Sequence, residues 1–409
     1  MQANIDGADP ERVRAAGRAA LLAFATNGAL VGSLLPRYPE IARALGLGTA
    51  ELGLVVACFA AGAVAAGTLP ERPLRRFGSR TVTRAGTWTI ALALWLAGIA
   101  AGIGPGATVA FAALLFVAGA GDAFVDVAQN AQGMRVQRAA ERSVLSAMHA
   151  GWSAGAAIAG AIGTLAATLG VPLWLHLALT GTINGLLVTL VGRRFLPDGP
   201  VPADGGGGED RSGPTRAVGG GRPDGARAGA VALAALCAIA LGGVSVEIVG
   251  ADWSAWFVHM VHAVPVETAG IAVSALLGAQ FVGRLLGDRV IDRLGARRAL
   301  RASLVTVAAG LLLAAASPGA SGALAGFALA GLGSAIVVPI AFAGADALPG
   351  LAPGRGLAVV GWALRAAAIG VSPLIGLVGE THGLPTALAL VAIVAAAALA
   401  ATRHVGTVR

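Results

Sequence analysis

Twelve apolar stretches, most of them about 20 residues long, alternate along this chain with short arginine-bearing segments. That alternation limits the fold more than any other feature. A segment in lipid has no water to satisfy its backbone, so only helices and closed barrels can cross a bilayer. Runs of this length without a two-residue polar alternation specify helices. They lie near 17–36, 52–70, 83–102, 107–131, 144–168, 171–191, 229–256, 268–287, 301–317, 321–344, 357–379 and 383–402. Charged residues make up 12% of the chain and hydrophobic ones 56%, whereas a soluble domain is about 25% charged. One soluble core could not hide that many apolar side chains, so most must face lipid. The 61 glycines and the many alanines inside the apolar runs suit helices that pack through small residues.

The net charge of +8 would suit nucleic acid, but its distribution argues against that partner. Every basic residue is arginine. With the N-terminus inside, only Arg37 and Arg43 fall in outer loops and Arg365 falls inside a span. The other arginines gather on one side, which by the positive-inside rule is the cytoplasm, together with both termini. Arg12, Arg14 and Arg18 precede a full-length span without a convincing cleavage pattern, so the first helix is expected to be retained. Cys58 and Cys237 sit singly in apolar runs with neither metal nor redox spacing, and read as packing residues.

Residues 197–227 break the pattern with Gly205-Gly206-Gly207-Gly208, several prolines and scattered charge. Such a stretch buries too little surface to fold and is expected to be a flexible cytoplasmic linker. The chain then divides into a six-helix bundle (1–195), the linker (196–227) and a second six-helix bundle (228–409). An even number of spans per half makes the halves parallel repeats about an axis along the membrane normal. The very short Gly104-Pro105-Gly106 and Pro318-Gly319 connections require antiparallel hairpins.

The halves also share a loop signature. The first reads Glu71-Arg72-Pro73-Leu74-Arg75-Arg76-Phe77-Gly78-Ser79-Arg80; the second reads Asp288-Arg289-Val290-Ile291-Asp292-Arg293-Leu294-Gly295-Ala296-Arg297. An acid at one helix end and arginines in the next turn can form charge pairs that close one face of a bundle. Glu71, Arg72, Arg80, Asp288, Arg289 and Arg297 are the candidates for such gating. The plainer alternative is a solvated loop that only sets topology.

This loop resembles that of the major facilitator superfamily. The chain further resembles the YbjJ-type branch, which is distantly similar to the fucose permease group. The resemblance rests on Asn27-Gly28, Leu35-Pro36-Arg37, Asp126-Val127-Ala128-Gln129-Asn130, Ser146-Ala147-Met148-His149, Ala251-Asp252-Trp253-Ser254, Gly283-Arg284-Leu285-Leu286-Gly287-Asp288-Arg289 and Val337-Val338-Pro339. It implies an all-α membrane protein with the major facilitator fold, about twelve transmembrane helices in two pseudo-symmetric six-helix bundles. Pro70 and Pro73 beside the Glu-Arg pair, and Arg365 in the eleventh span, depart from the pattern.

A charge at a helix centre costs about 2.5–3.5 kcal/mol even on lenient scales, so intramembrane polar groups are candidates for solute or proton binding. Asp122, Asp126 and Asn130 recur every four residues on one helix face. They suit either a cavity stripe or a structural seam. Asp126, poised between desolvation and a nearby cation, is the foremost proton-coupling candidate. His149 lies at equal depth on the next span, as its partner or as a packing histidine. Glu247 and Asp252 are five residues apart and share a face only if the helix breaks, for which Gly250 offers a place. Trp253 and Trp256 read as interfacial anchors or stacking groups. Arg365 cannot neutralise itself and must pair, bind an anion or snorkel. Asn27 can bind a polar solute or a neighbouring helix.

No zinc spacing, phosphate loop or nucleophile–base arrangement stands out, so neither cofactor nor enzyme chemistry is expected. The expected function is secondary active transport of a small polar solute by alternating access, coupled to protons or another ion, by a monomer in a bacterial inner membrane. Efflux of an amphipathic metabolite or drug competes with it, and so does a non-transporting sensor or scaffold on the same frame.

Overall fold

The computed structural model describes residues 9–141, 144–198, 223–348, 351 and 354–405. Among them are twelve helical segments long and apolar enough to cross a membrane: α1 (Pro10–Leu45), α2 (Thr49–Ala66), α3 (Glu71–Ile103), α4 (Pro105–Ala140), α5 (Ala147–Thr168), α6 (Leu173–Arg194), α7 (Gly229–His262), α8 (Val266–Leu294), α9 (Ala296–Ala316), α10 (Ala320–Asp346), α11 (Arg355–His382) and α12 (Leu384–His404). Each overlaps an expected span. Residues 199–222 of the expected linker lie outside the described residues, and 223–227 are already helical.

The segments pack as two groups of six with matching neighbours. In the first, α1 meets α5 and α6, α2 meets α4, and α3 meets α4 and α6. In the second, α7 meets α11 and α12, α8 meets α10, and α9 meets α10 and α12. Small residues make these contacts possible. A Cβ on Gly119 of α4 would lie 1.8 Å from the Phe59 carbonyl oxygen of α2, and one on Gly62 would lie 1.9 Å from that of Phe116. The backbones touch, which lets dispersion replace the hydrophobic drive that lipid removes.

Two seams join the halves, α2 with α11 and α5 with α8. The internal symmetry exchanges one for the other. The inner end of the bundle is defined here as the one carrying both chain termini. At the outer end the seams are tied by hydrogen bonds. Glu380 of α11 accepts from the Thr49 and Ala50 backbone N–H groups at the start of α2 (2.9 and 3.3 Å). Trp256 Nε1 donates to Thr49 Oγ1 (3.3 Å), and Thr168 donates to the Glu267 carbonyl (3.1 Å). Towards the inner end, Arg284 to Ser153 is the last described hydrogen bond between the halves. The described hydrogen bonds between the halves therefore lie at the outer end and at mid-depth.

Candidate functional site

The first half contributes a polar stripe on α4. Asn27, buried on α1, donates through Nδ2 to Asp122 Oδ1 (2.8 Å). Gln129 donates to the Ala23 carbonyl (2.8 Å) and fixes the register of α1 against α4. Asn130 Nδ2 donates to Asp126 Oδ1 (2.8 Å) and to the Asp126 carbonyl (2.9 Å), one turn back on its own helix. Asp126 remains exposed to the cleft. His149 packs edge-on against Phe24 with ring centroids 5.2 Å apart. Its charge reaches Asp126, but no described hydrogen bond joins the two.

The second half contributes Glu247, which pairs with Arg284 of α8 at 3.4 Å. Arg284 also donates to Ser153 across the cleft, linking an acid of one half to a hydroxyl of the other. The arginine tally from the sequence had placed Arg284 with the cytoplasmic residues; its side chain reaches into the bundle instead. The clue was its position four residues before Asp288, inside the apolar span.

Asp252 faces elsewhere. Ser372 of α11 donates to Asp252 Oδ2 (2.5 Å), and Trp253 Nε1 approaches Ser372 Oγ at 3.3 Å. Asp252 and Tyr38 are the polar groups in a cavity of ≈120 Å³ between the halves, otherwise walled by residues such as Val31, Val56, Phe59 and Ile248. The helix is continuous through Gly250, so the break allowed by the sequence is not made. Gly250 instead admits α8, since a Cβ there would lie 1.9 Å from Leu276 Cδ1. Trp253 and Trp256 are 1% and 6% exposed; they are core residues, not lipid-interface anchors.

Arg365 stands exposed on α11 with its guanidinium carbon 5.2 Å from the Trp362 ring centre. Among the described residues it has neither an ion-pair nor a hydrogen-bond partner. Ala368 and Ser372, three and seven residues on, share its helix face. Ala368 lines the inter-half cavity and Ser372 holds Asp252, so that face looks into the cleft. The charges of Arg365 and Asp126 lie within reach of each other.

Of the loop residues, Glu71, Arg72, Arg80, Asp288 and Arg289 are exposed and Arg297 is half-buried. None of the six takes part in a described ion pair. Among the described residues, the ion pair at this end is Arg135 with Asp198. Gly78 leaves the helical region at φ 76°, ψ 164°. This turns the Ser79 N–H and hydroxyl towards the Asp198 carboxylate (2.9 and 2.8 Å). Asp198 follows α6 in what reads as linker, and sequence pattern gave no reason to single it out.

Twelve spans in two matching sextets around a polar cleft are the major facilitator fold. Solved structures of the same architecture include the nucleoside transporter NupG (TM-score 0.70, 15% identity, covering 95% of this chain and 98% of that one). A D-xylose–proton symporter also matches (0.71, 14%, 97% and 98%), as does an inward-facing bacterial homologue of the human lysosomal transporter Spinster (0.68, 14%, 98% and 98%). In sequence, the chain is 28% identical over 396 residues to an uncharacterized MFS-type transporter of Yersinia pestis, covering 93% of this chain and 94% of the relative. It is 29% identical over 339 residues to an uncharacterized transporter of Sinorhizobium fredii, covering 82% and 84%. No family model matches the chain.

Proposed function

We propose that this chain is a secondary active transporter of the major facilitator superfamily that carries a small polar solute by alternating access. One observation carries the reading. Polar groups of both halves, the acid Asp126 with Asn130 and the acid Glu247 with Arg284, converge on a cleft tied at the outer end. The solute binds there, between Asn27, Asp122 and Asn130 on one side and Glu247 and Arg365 on the other. Rocking of the halves then breaks the outer seams and exposes the cleft to the opposite compartment.

Both termini lie in the cytoplasm of a bacterial cell, a reading the arginine distribution supports. Protons drive the cycle through Asp126 or Glu247, and the exposed loop charges from Glu71 to Arg80 and Asp288 to Arg297 engage when the inner end closes. The names of the structural neighbours, a nucleoside transporter and a D-xylose–proton symporter, favour a polar cargo and proton coupling. Efflux of an amphipathic compound is the second reading, favoured by the mainly apolar wall around Asp252.

The test is solute-driven pH change in proteoliposomes, comparing the wild type with Asp126→Asn and Glu247→Gln. Loss of coupling with retained counterflow in one variant identifies the proton carrier. Coupling intact in both removes these acids from the mechanism.

A further inference from the structure

Two charges in the cleft, one from each half, take part in no described ion pair, although His149 lies near the first of them, Asp126. Asp126 has only the Asn130 amide of its own helix among its described hydrogen bonds. Arg365 has only the face of Trp362. The other cleft acids are held by the protein: Asp122 by Asn27, Glu247 by Arg284 and Asp252 by Ser372. Asp126 and Arg365 are both exposed, which leaves the second carboxylate oxygen of Asp126 and the guanidinium of Arg365 for a guest. No direct ion pair joins them, although each lies in the other's field.

We infer that the solute is a zwitterion whose ammonium group faces Asp126 and whose carboxylate faces Arg365. This deepens the transport reading and rests on it. A guanidinium offers a planar fork matched to a carboxylate, and Trp362 holds that fork from one side. Asp126, an acceptor when ionised, takes an ammonium, with the Asn130 amide oxygen beside it as a further acceptor. A cation alone leaves Arg365 unmatched, an anion alone leaves Asp126 unmatched, and a neutral solute leaves both. A solute with one charge at each end satisfies the two halves together and draws them towards each other. On this assignment Asp126 recognises cargo, and Glu247 remains for the proton.

The probes are alanine, β-alanine, 4-aminobutyrate and 6-aminohexanoate, each with its deaminated acid and its amide, and with xylose and uridine as uncharged polar solutes. Binding to the full-length chain in detergent is read as thermal stabilisation, and transport as counterflow in proteoliposomes. At least one zwitterion is expected to bind roughly tenfold or more tighter than either singly charged analogue. Arg365→Gln should erase the preference for the zwitterion over its amide, and Asp126→Asn the preference over its deaminated acid. Arg365→Lys, which keeps the charge and loses the fork, should retain part of the first preference, and a monodisperse elution profile shows each variant folded. Binding confined to xylose or uridine, or preferences untouched in folded variants, would overturn the zwitterion assignment and leave transport standing. No stabilisation by any zwitterion would overturn it too. Zwitterion binding with the expected variant pattern but no counterflow supports the charge assignment and refutes transport.

Discussion

Removing the Glu380 carboxylate should open the outer end of the cleft. That carboxylate, borne on the second half, accepts from the first two N–H groups of α2, which belongs to the first. It occupies the helix N-terminus, where the peptide dipoles favour negative charge. Glu51 takes the Gly48 N–H of the same turn (2.9 Å), so Glu380 is not redundant with the helix's own cap. Hydrogen bonds to a charged group contribute about 1.5–3 kcal/mol each when well shielded. Glu380 is exposed, and water takes part of that role when it is removed. A net shift of about 1–2 kcal/mol remains, equivalent to roughly 5- to 30-fold in the balance between outer-closed and outer-open forms. The contact exists only while the seam is closed, so the shift has one sign.

Spin labels at Gly106→Cys and Met260→Cys, after replacement of Cys58 and Cys237, report the distance between the outer ends of the two halves. Glu380→Ala should add or enlarge a long-distance population. Glu380→Gln, which keeps an acceptor without its charge, should do so less. An Ala variant with the wild-type distribution would refute the assignment of Glu380 as an outer tie.

Two further substitutions test the packing. Gly78→Ala places a methyl at φ 76° and 2.1 Å from Asp198 Oδ2; detachment of Asp198 should lower stability by about 1–3 kcal/mol, read as a drop in the melting temperature of the detergent-solubilised chain. Gly119→Leu drives a side chain into the Phe59 carbonyl and should abolish the monodisperse peak on size exclusion, while Gly102→Leu, where a Cβ meets nothing within 4 Å, should leave it unchanged.

The frame was legible because lipid imposes one rule on every crossing segment, and a run of apolar residues states that rule locally. Ends were less legible. Hydropathy placed the end of the fourth span near 131, yet α4 runs to Ala140. Its last turns are amphipathic and lie against protein, with Gln132 and Val136 buried. The Asp122–Asp126–Asn130 face was visible from spacing alone, since four residues return to nearly the same side of a helix. Arg284 was not, because a long side chain reaches about as far as a helix turn is high, and its target Glu247 is fixed by tertiary packing. Gly250 shows the same limit. A glycine permits a bend or a close neighbour, and only the facing Leu276 decides between them.

Gly78 and Gly295, the paired glycines of the repeated loop, adopt nearly the same backbone angles, φ 76°, ψ 164° and φ 77°, ψ 148°. Their surroundings differ. Among the described residues, a methyl on Gly78 collides with Asp198, whereas one on Gly295 meets nothing within 4 Å. The repeated loop thus keeps the same corner in both sextets, and among the described residues an anchor is seen at one of them. Position 295 is accordingly where a small probe or crosslinker could be attached at little steric cost, with strain coming only from the backbone angle itself.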